Sequence, residues 1–494
     1  MKKYYFVFFL LLSWSCTKDK ALEVAKADLA SGFPSDVSVI VNNKCSTTGC
    51  HTTSARAATG GLAMQTWNQL FDGGNGGAVA IAYRPDQSWL MYFTNTDTSW
   101  GPVLTPTMPY LSNPLSKTEW QTLNNWMAAG APNKDGVVPF SGNPDRKKFY
   151  VSNQGCDFVS VFDADTKLCM RCIDVGQSPA APDVPHQIKI SPDGQYWYAV
   201  LYAGTVLQKF SAIDDSHIGD IPLGDGSATY QPTGQWSTIS ITPDGKIGFV
   251  VDWESDSKIA VVNLETMSFI TQYKGLAFTH GSCINSTGTT LYVTSQTGNY
   301  IYKFDVTNPF FASYEKITLD GLSWNNIEGH YDPHEIMLAP DESKYFVTCQ
   351  SANAVYVMDA TSDTLIAAIA VGKTPLEMGI SKDHNELFVT CEYEPSSEPK
   401  TIGEVDVIDL NTLQVIKKLQ DGLYEPHGIG VMDTEGYVVI ASLNYDGTGP
   451  APHHVSNCGG RNGFLKLIDL GTLEFIPNYR TEVSVYPYSV TVRK

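Results

Sequence analysis

Basic residues are scarce in this sequence: 33 Lys and Arg stand against 52 Asp and Glu, which gives a net charge of −19. A nucleic acid or an anionic lipid surface is therefore excluded as an electrostatic partner, because either polyanion requires a basic surface. The balance favours a cation or a basic protein. After its first 14 residues the chain also lacks any apolar run long enough to cross a bilayer, which excludes a downstream membrane helix.

The N-terminus has the features of an export signal. A short basic start is followed by an apolar run over residues 4–14 and then by Cys16. The pattern resembles a bacterial lipoprotein signal, which implies that residues 1–15 are removed and that Cys16 is lipidated at the head of a tether over 16–34. Ser13 departs from the usual leucine, so ordinary cleavage nearby stays open. The predicted location is the envelope of a Gram-negative-type bacterium, periplasmic or surface-facing, with membrane attachment only through the lipid.

Two cysteines followed at once by a histidine, Cys45, Cys50 and His51, form the arrangement that attaches c-type haem. In such sites each thiol forms a thioether to a haem vinyl group, and the adjacent imidazole binds the iron as its proximal ligand. The usual spacing has two residues between the cysteines, whereas this chain has four. The motif predicts one covalent haem c. A disulfide loop with an incidental histidine stays open as the alternative.

Residues 35–135 around this motif carry helix signals, which predict a small all-α domain. A capping box that begins at Ser116 opens the clearest helix. Met108 stands next to a proline in the loop before that helix, so it is predicted to be the second axial ligand of the haem iron. Met64 and Met91 compete for this role, but both lie at helical spacing among apolar neighbours, which favours the core.

The order of these parts resembles a family of small exported c-type cytochrome domains. That family opens with Asn-Lys-Cys-x4-Cys-His, continues with a Gly-Gly-Leu turn and a Met-Pro loop, and closes with a helix ending in Trp-x-x-x-Gly-Ala-Pro. The matching segments here are Asn43-Lys44-Cys45, Gly60-Gly61-Leu62, Met108-Pro109 and Trp126-Met127-Ala128-Ala129-Gly130-Ala131-Pro132. The family tolerates the four-residue spacing. The resemblance covers about one fifth of the chain and implies a cytochrome c domain over 35–135.

After a linker over residues 136–145, short strands recur with matching turns such as Ser191-Pro192-Asp193-Gly194 and Thr242-Pro243-Asp244-Gly245. Repeats of this length, each a four-stranded sheet, are typical of propeller blades. Six blades are complete, and the final strand is predicted to supply the missing innermost strand of the first blade, which gives seven. The strands resemble the YVTN-type propeller repeats of exported proteins. The predicted fold class is thus multidomain, with a small all-α cytochrome c domain followed by an all-β seven-bladed propeller over 146–494.

Histidine recurs at one position of the propeller repeat, the start of the innermost strand. The seven residues at this position are His186, Ser237, His280, His334, Leu376, His427 and Tyr488. Because innermost strands line the central channel, these imidazoles are predicted to meet at its mouth, together with His330, His453 and His454 from loops of the same face. A many-histidine site favours copper or zinc. Inherited packing, in which each imidazole bonds the backbone of the neighbouring blade, stays open as the alternative.

Four of the remaining cysteines occur in pairs that bear on the prediction. Cys156 and Cys458 can form a disulfide in an exported protein. Cys169 and Cys172 have the spacing of metal ligands, but no second pair of this kind accompanies them.

The main functional hypothesis is a haem c electron-transfer protein of the cell envelope, whose propeller binds a redox partner protein or houses a second redox or metal centre. An alternative is a propeller metalloenzyme, an oxidoreductase acting on a small substrate at the histidine-lined mouth and fed by the haem. A second alternative is a surface recognition propeller with an accessory haem. Electron transfer is favoured over a defined catalytic reaction, and no catalytic residue is assigned. At fold level the arrangement resembles nitrous-oxide reductase, whose propeller holds copper on histidines, and the haem-containing nitrite reductases.

Overall fold

The computed structural model describes residues 29–178, 181–393, 402–445, 449–452, 456 and 458–494. Seven β-sheets follow one another along the chain from residue 148 onward. Their innermost strands contact one another in a closed circle around a central channel. The protein is therefore a single seven-bladed β-propeller with about 10 % helix.

The strands have the following bounds, blade by blade. The first blade contains β1 (Lys148–Asn153), β2 (Phe158–Asp163) and β3 (Cys169–Asp174), and the second contains β4 (Pro185–Ile190), β5 (Tyr196–Leu201), β6 (Val206–Ser211) and β7 (His217–Pro222). The third contains β8 (Trp236–Ile241), β9 (Ile247–Asp252), β10 (Ser257–Asn263) and β11 (Ser268–Leu276), and the fourth contains β12 (Thr279–Ile284), β13 (Thr290–Ser295), β14 (Tyr300–Asp305) and β15 (Ser313–Thr318). The fifth contains β16 (Pro333–Leu338), β17 (Lys344–Cys349), β18 (Ala354–Asp359) and β19 (Leu365–Ala370), and the sixth contains β20 (Lys373–Ser381), β21 (Glu386–Tyr393), β22 (Glu404–Asp409) and β23 (Gln414–Leu419). The seventh contains β24 (Pro426–Met432), β25 (Tyr437–Ser442), β26 (Asn462–Asp469), β27 (Glu474–Phe475) and β28 (Thr481–Val485), and β29 (Pro487–Arg493) follows it.

The last strand closes the ring, as the sequence predicts. β29 pairs with β1 antiparallel, with Lys148 opposite Arg493, so the first blade has the order β29-β1-β2-β3. The guanidinium of Arg493 donates to the carbonyls of Gly194, Arg146 and Pro144, which fixes the end of this strand to the first two blades. Closure removes the unpaired edge that an open sheet would expose.

The core of the propeller lies between neighbouring blades rather than at one central point. Strands such as β8 and β25 are buried along their whole length, whereas an outermost strand such as β19 is mostly exposed. Apolar and aromatic side chains from the facing sheets fill the space between them, for example Tyr150 of the first blade and Trp197 of the second, whose ring centroids are 5.5 Å apart. Burial of apolar area on both sides of each sheet is what stabilises the ring.

The N-terminal segment is not the all-α cytochrome c domain that the sequence resemblance implies, and the multidomain fold class is wrong. Its helices are α1 (Ser35–Ile40), α2 (Trp67–Phe71), α3 (Trp89–Thr94) and α4 (Lys117–Ala128), with a π-helix at Val41–Cys45 and 3-10 turns at Leu29–Ser31, Arg56–Ala58, Pro85–Gln87 and Thr98–Trp100. Only α4 reaches three turns, so most of the segment is irregular chain. A separate all-α domain requires longer helices that pack along one another.

The physical reason for this correction is that part of the segment's apolar surface is buried by the propeller. Ile81 belongs to the same apolar cluster as Phe158 and Val439 of the first and seventh blades. Arg84 reinforces the contact with an ion pair to Asp174 at the end of β3, at 2.7 Å. The capping box at Ser116 does form, and it begins α4 as predicted. The capping signal therefore predicts the start of the helix correctly, but it does not indicate which surfaces the helices pack against.

A disulfide between Cys156 and Cys458 links the first blade to the seventh across 302 residues of sequence.

Within the described residues, no helix combines the length and the apolar character needed to cross a membrane. The predicted signal peptide and the lipidation site Cys16 lie outside the described residues.

Candidate functional site at the channel mouth

A repeated turn delivers one side chain per blade to the mouth of the channel. Proline precedes the mouth residue in five of the seven blades, and the residue before each of these prolines has a positive φ, between 51° and 58°. These five residues are Val184, Asp332, Thr374, Glu425 and Tyr486. Left-handed backbone is unusual for residues with a Cβ, so its recurrence shows that the tertiary fold imposes this entry into the strand. The mouth residue then faces its counterparts in the other blades.

The structure brings the four predicted histidines together. Ring centroids are 5.3 Å apart for His186 and His280, 4.1 Å for His280 and His334, and 5.9 Å for His334 and His427. Tyr488 completes the circuit, since its ring lies 3.6 Å from that of His427 and 4.5 Å from that of His186. We call these five residues the mouth ring. They line a cavity of about 410 Å³, together with Leu376 and rim residues that include Tyr202, Trp253 and Gln350.

Two imidazoles of the mouth ring, those of His280 and His427, contact the backbone of the next blade as the packing interpretation expects. Nδ1 of His427 lies 3.0 Å from the carbonyl oxygen of Tyr488, and Nδ1 of His280 lies 3.3 Å from that of His334. A carbonyl only accepts, so Nδ1 carries the proton in both rings and Nε2 keeps its lone pair. Nδ1 of His334 is buried and makes no hydrogen bond.

Burial makes these imidazoles weak bases. It lowers the pKa of His280 to about 4 and that of His427 to about 3. Burial together with the neighbouring imidazoles lowers the pKa of His186 and His334 well below the ordinary value. All four are therefore neutral at physiological pH, and their unprotonated nitrogens act as acceptors or metal ligands rather than as an anion-binding charge.

Two carboxyl groups, Glu335 on β16 and Glu377 on β20, directly follow residues at the mouth position of the repeat, His334 and Leu376. Burial raises the pKa of Glu335 to about 7, and burial with repulsion from Glu335 raises the pKa of Glu377 well above the ordinary value. Lys189 acts on both in the opposite sense. One oxygen of Glu335 is buried without a hydrogen-bond partner. The raised pKa values leave both carboxyl groups at least partly protonated at physiological pH, and neither group lines the cavity.

The mouth ring lines an open cavity and does not form a complete set of metal ligands. Across the described parts of the chain, no three or more His, Cys, Asp or Glu residues are placed as a group to hold one ion. His330 is exposed and does not line the cavity, and His453 and His454 fall outside the described residues. His217 lies away from the mouth, where its Nε2 is 2.8 Å from Asp220.

Sequence reasoning does not single out Tyr488 as part of the site, nor the two buried carboxyl groups. Glu335 and Glu377 each directly follow a mouth residue in the sequence. The repeat register therefore contained the signal, since every position after a mouth residue is also an innermost-strand position near the channel.

The predicted haem-attachment residues lie in a tight loop of the N-terminal segment. The π-helix ends at Cys45, and the amide of His51 donates to the Cys45 carbonyl at 3.1 Å. Burial raises the pKa of the Cys45 thiol to about 12, and Cys50 is half-buried. Burial lowers the pKa of His51, and the nearby backbone of Leu62 partly offsets this lowering. Its Nδ1 is buried and has no partner within hydrogen-bond geometry.

The three candidate methionines have different surroundings. Met64 and Met91 are 1 % and 2 % exposed and belong to the same apolar cluster as Cys45, as the core interpretation expected. Met108 is half-buried, and its amide donates to the Phe93 carbonyl at 2.6 Å. Of the three, Met108 is the one that the apolar core does not enclose.

No protein-family model matches the chain. Among curated proteins, the chain is similar to Antigen Lp49 of Leptospira interrogans, with 21 % identity over 263 residues that cover 52 % of this chain and 54 % of that protein. The chain thus spans about half the length of this relative.

Solved structures with a similar fold include hydrazine synthase of Kuenenia stuttgartiensis, with a TM-score of 0.50 and 17 % identity over 64 % of this chain and 93 % of that one. A functionally unknown protein of Desulfotomaculum acetoxidans has a TM-score of 0.51 and 15 % identity over 70 % of this chain and 98 % of that one. Dihydro-haem d1 dehydrogenase NirN scores 0.49 at 13 % identity over 85 % of this chain and 94 % of that one. At these identities the first two show the propeller fold alone.

Proposed function

We propose that this protein is a redox protein of the cell envelope, in which the mouth ring binds a transition-metal cation and a haem c on the N-terminal segment transfers electrons. Copper or zinc is the metal class that neutral imidazoles favour. The partner is a basic redox protein, which suits the net charge of −19.

The observation that carries the proposal is the circuit of four buried imidazoles around one cavity. His280 and His334 are the closest pair, with ring centroids 4.1 Å apart. Because a backbone carbonyl holds the Nδ1 proton of His280 and His427, the opposite nitrogen Nε2 is the free ligand atom. A second-sphere carbonyl on a metal-binding imidazole is the usual way in which proteins fix its tautomer. The same hydrogen bonds thus serve packing between blades and ligation.

Metal binding at the mouth ring is tested by removing ligand atoms one at a time. Chelator-treated protein is equilibrated with Cu(II) or Zn(II), separated by gel filtration and analysed for bound metal. Wild type should retain metal, and His280→Asn and His334→Asn should retain less. His217→Asn, which changes an exposed histidine away from the channel, is the matched control. Equal retention by wild type and both ring variants contradicts the proposal.

The residues of the N-terminal loop fit a haem c, which supplies one-electron transfer when bound. Cys45 and Cys50 are free thiols, and the buried Nδ1 of His51 lacks a hydrogen-bond partner. The thiols would hold the haem as thioethers, His51 would bind the iron, and Met108 would provide the second axial ligand. This attachment does not require the all-α domain that the structure excludes.

Haem attachment is tested by producing the chain with c-type maturation machinery. Covalent haem should appear on the peptide that contains Cys45 and Cys50, with a reduced-minus-oxidised spectrum of c type. Cys283→Ala, which removes a lone thiol of the propeller, should leave attachment intact. Met108→Ala should raise the affinity of the haem for external ligands. Matured protein without covalent haem refutes this part of the proposal and leaves the mouth ring untouched.

The size of the cavity favours a second candidate function. A volume of about 410 Å³ exceeds that of a single hydrated ion and admits a small molecule. The protein would then be an oxidoreductase acting on a small substrate at the metal. Isothermal titration of the metal-loaded protein with small oxidised and reduced molecules tests this function. Binding that disappears in His280→Asn supports an enzyme, and the absence of any binding favours electron transfer alone.

A further inference from the structure

A β-bulge places two cysteines of β3 on the same face of the first blade. In a regular strand, residues three apart point to opposite faces. Here Cys169 lies opposite Phe162 and Cys172 lies opposite Ser160, and these two partners are two residues apart on β2. The extra residue in β3 is thus absorbed by a register shift, which turns both thiols to one side.

The two thiols meet beside a small cavity. Their sulfur atoms are 3.9 Å apart, and both side chains are buried. They belong to the apolar cluster between the first and seventh blades and line a cavity of about 50 Å³. Glu482, Asn462 and Ser484 line the same cavity. The volume suffices for one ion or one water molecule.

We infer that Cys169 and Cys172 are two ligands of a soft d10 metal ion, copper(I) or zinc(II). Two thiolates that bind one tetrahedral ion at about 2.3 Å hold their sulfurs about 3.8 Å apart. The observed separation is 3.9 Å, so ligation needs almost no movement, whereas a disulfide requires the sulfurs to approach to about 2.05 Å. Thiolates select soft ions.

The proton balance of this site is simple. The hydrogen bond with Cys172 and burial both raise the pKa of the Cys169 thiol, so this thiol is protonated in the metal-free protein. On binding, two S–H bonds are replaced by two metal–sulfur bonds, and two protons pass to solvent. No electron is transferred. The remaining coordination positions face the cavity.

The location gives the site a structural consequence. The backbone carbonyl of Cys172 accepts a hydrogen bond from Arg84 at 3.2 Å, and Ala78 and Ile81 of the N-terminal segment pack against the same cluster. An ion bound at the bulge would therefore stabilise the contact between the N-terminal segment and the first blade. Because the metal binds the folded state, it also stabilises that state by mass action.

The experiment uses Cd(II) as the probe, because its thiolate complexes absorb by charge transfer in the ultraviolet and its imidazole complexes do not. Reduced, chelator-treated full-length protein is titrated without oxygen. Wild type should show the charge-transfer band, and the Cys169→Ser and Cys172→Ser variants should each lose most of it. Cys349→Ser removes a buried lone thiol and should keep the band, as should a Cys45→Ser/Cys50→Ser double variant.

A second readout needs no variant. Cd(II) should protect the peptide that contains Cys169 and Cys172 of the wild type from alkylation, and it should raise the temperature of unfolding. An unchanged band in both single variants overturns the inference. A disulfide between Cys169 and Cys172 would also overturn it. In protein isolated without reductant, mass spectrometry would detect this disulfide as a peptide that is two hydrogens lighter. Neither result bears on the mouth ring, since its ligands are imidazoles.

Discussion

A buried ion pair between Lys148 and Asp215 joins the first blade to the second. Removal of one charge should lower the free energy of unfolding by several kcal/mol. Nζ of Lys148 lies 2.8 Å from a carboxylate oxygen of Asp215, and both side chains are 1 % exposed. The ammonium also donates to the carbonyls of Ala212 and Ile213, at 3.0 and 3.2 Å. Asp215→Asn keeps the shape of the site but leaves the ammonium buried without its counter-charge.

The expected cost of Asp215→Asn at pH 7 is about 3–5 kcal/mol, the range for breaking a buried pair by removing one partner. Burial already lowers the pKa of Lys148, even with the carboxylate beside it. Without Asp215 that pKa falls further. A lysine whose folded pKa lies below its unfolded value loses stability as pH falls below the unfolded value. The deficit of the variant should therefore shrink as pH rises towards 10.5, the ordinary lysine value.

Urea unfolding at pH 7 and near pH 10 measures both effects. The apolar double variant Lys148→Met/Asp215→Leu should cost less than Asp215→Asn, because it buries no unpaired ammonium, and its remaining cost reflects the Tyr150 hydroxyl, which loses Asp215 as acceptor. Asp135→Asn in the exposed pair with Lys134 is the matched control and should cost less than about 1 kcal/mol. If Asp215→Asn costs no more than this control, or if its deficit does not depend on pH, the reasoning is refuted.

Three further predictions concern the ring and its mouth. Cys156→Ser should lower the free energy of unfolding by about 2–5 kcal/mol, and reduction of wild type should give the same loss in thermal unfolding. Gly428→Ala places a Cβ 2.4 Å from the Tyr488 carbonyl, so it should cost about 1–3 kcal/mol and lower the melting temperature. Burial lowers the pKa of His280 to about 4, so metal-free protein loses stability as pH falls below the ordinary value of 6.5. His280→Asn should therefore lose about 2 kcal/mol less than wild type between pH 7 and pH 5 in urea unfolding, and an equal loss would contradict the buried neutral imidazole.

The propeller and its mouth were predictable because both depend on short-range patterns that repeat. Turns such as Ser191-Pro192-Asp193-Gly194 mark strand ends, and the repeat register then assigns His186 and its counterparts to one position. Closure by the C-terminal strand followed from counting strands. These inferences need no knowledge of which surfaces touch, since a blade's neighbours are its sequence neighbours.

The N-terminal segment and the cysteine pair were not predictable in the same way. Capping at Ser116 predicted α4 correctly, but whether short helices form their own domain depends on contacts such as that of Ile81 with the propeller. Cys169 and Cys172 have a spacing that a regular strand sends to opposite faces, so only the register shift against Phe162 reveals that they meet. Tertiary contacts decide both outcomes, and no local propensity reports them.

The strand that closes the ring also carries the fifth aromatic side chain of the mouth ring. Tyr488 is the second residue of β29, whose partner β1 is made almost 340 residues earlier in the chain. During synthesis, therefore, β1 waits with an unpaired edge until nearly the whole propeller has been made, and the mouth ring stays incomplete for the same time. A complete mouth ring is therefore found only in chains that have finished folding.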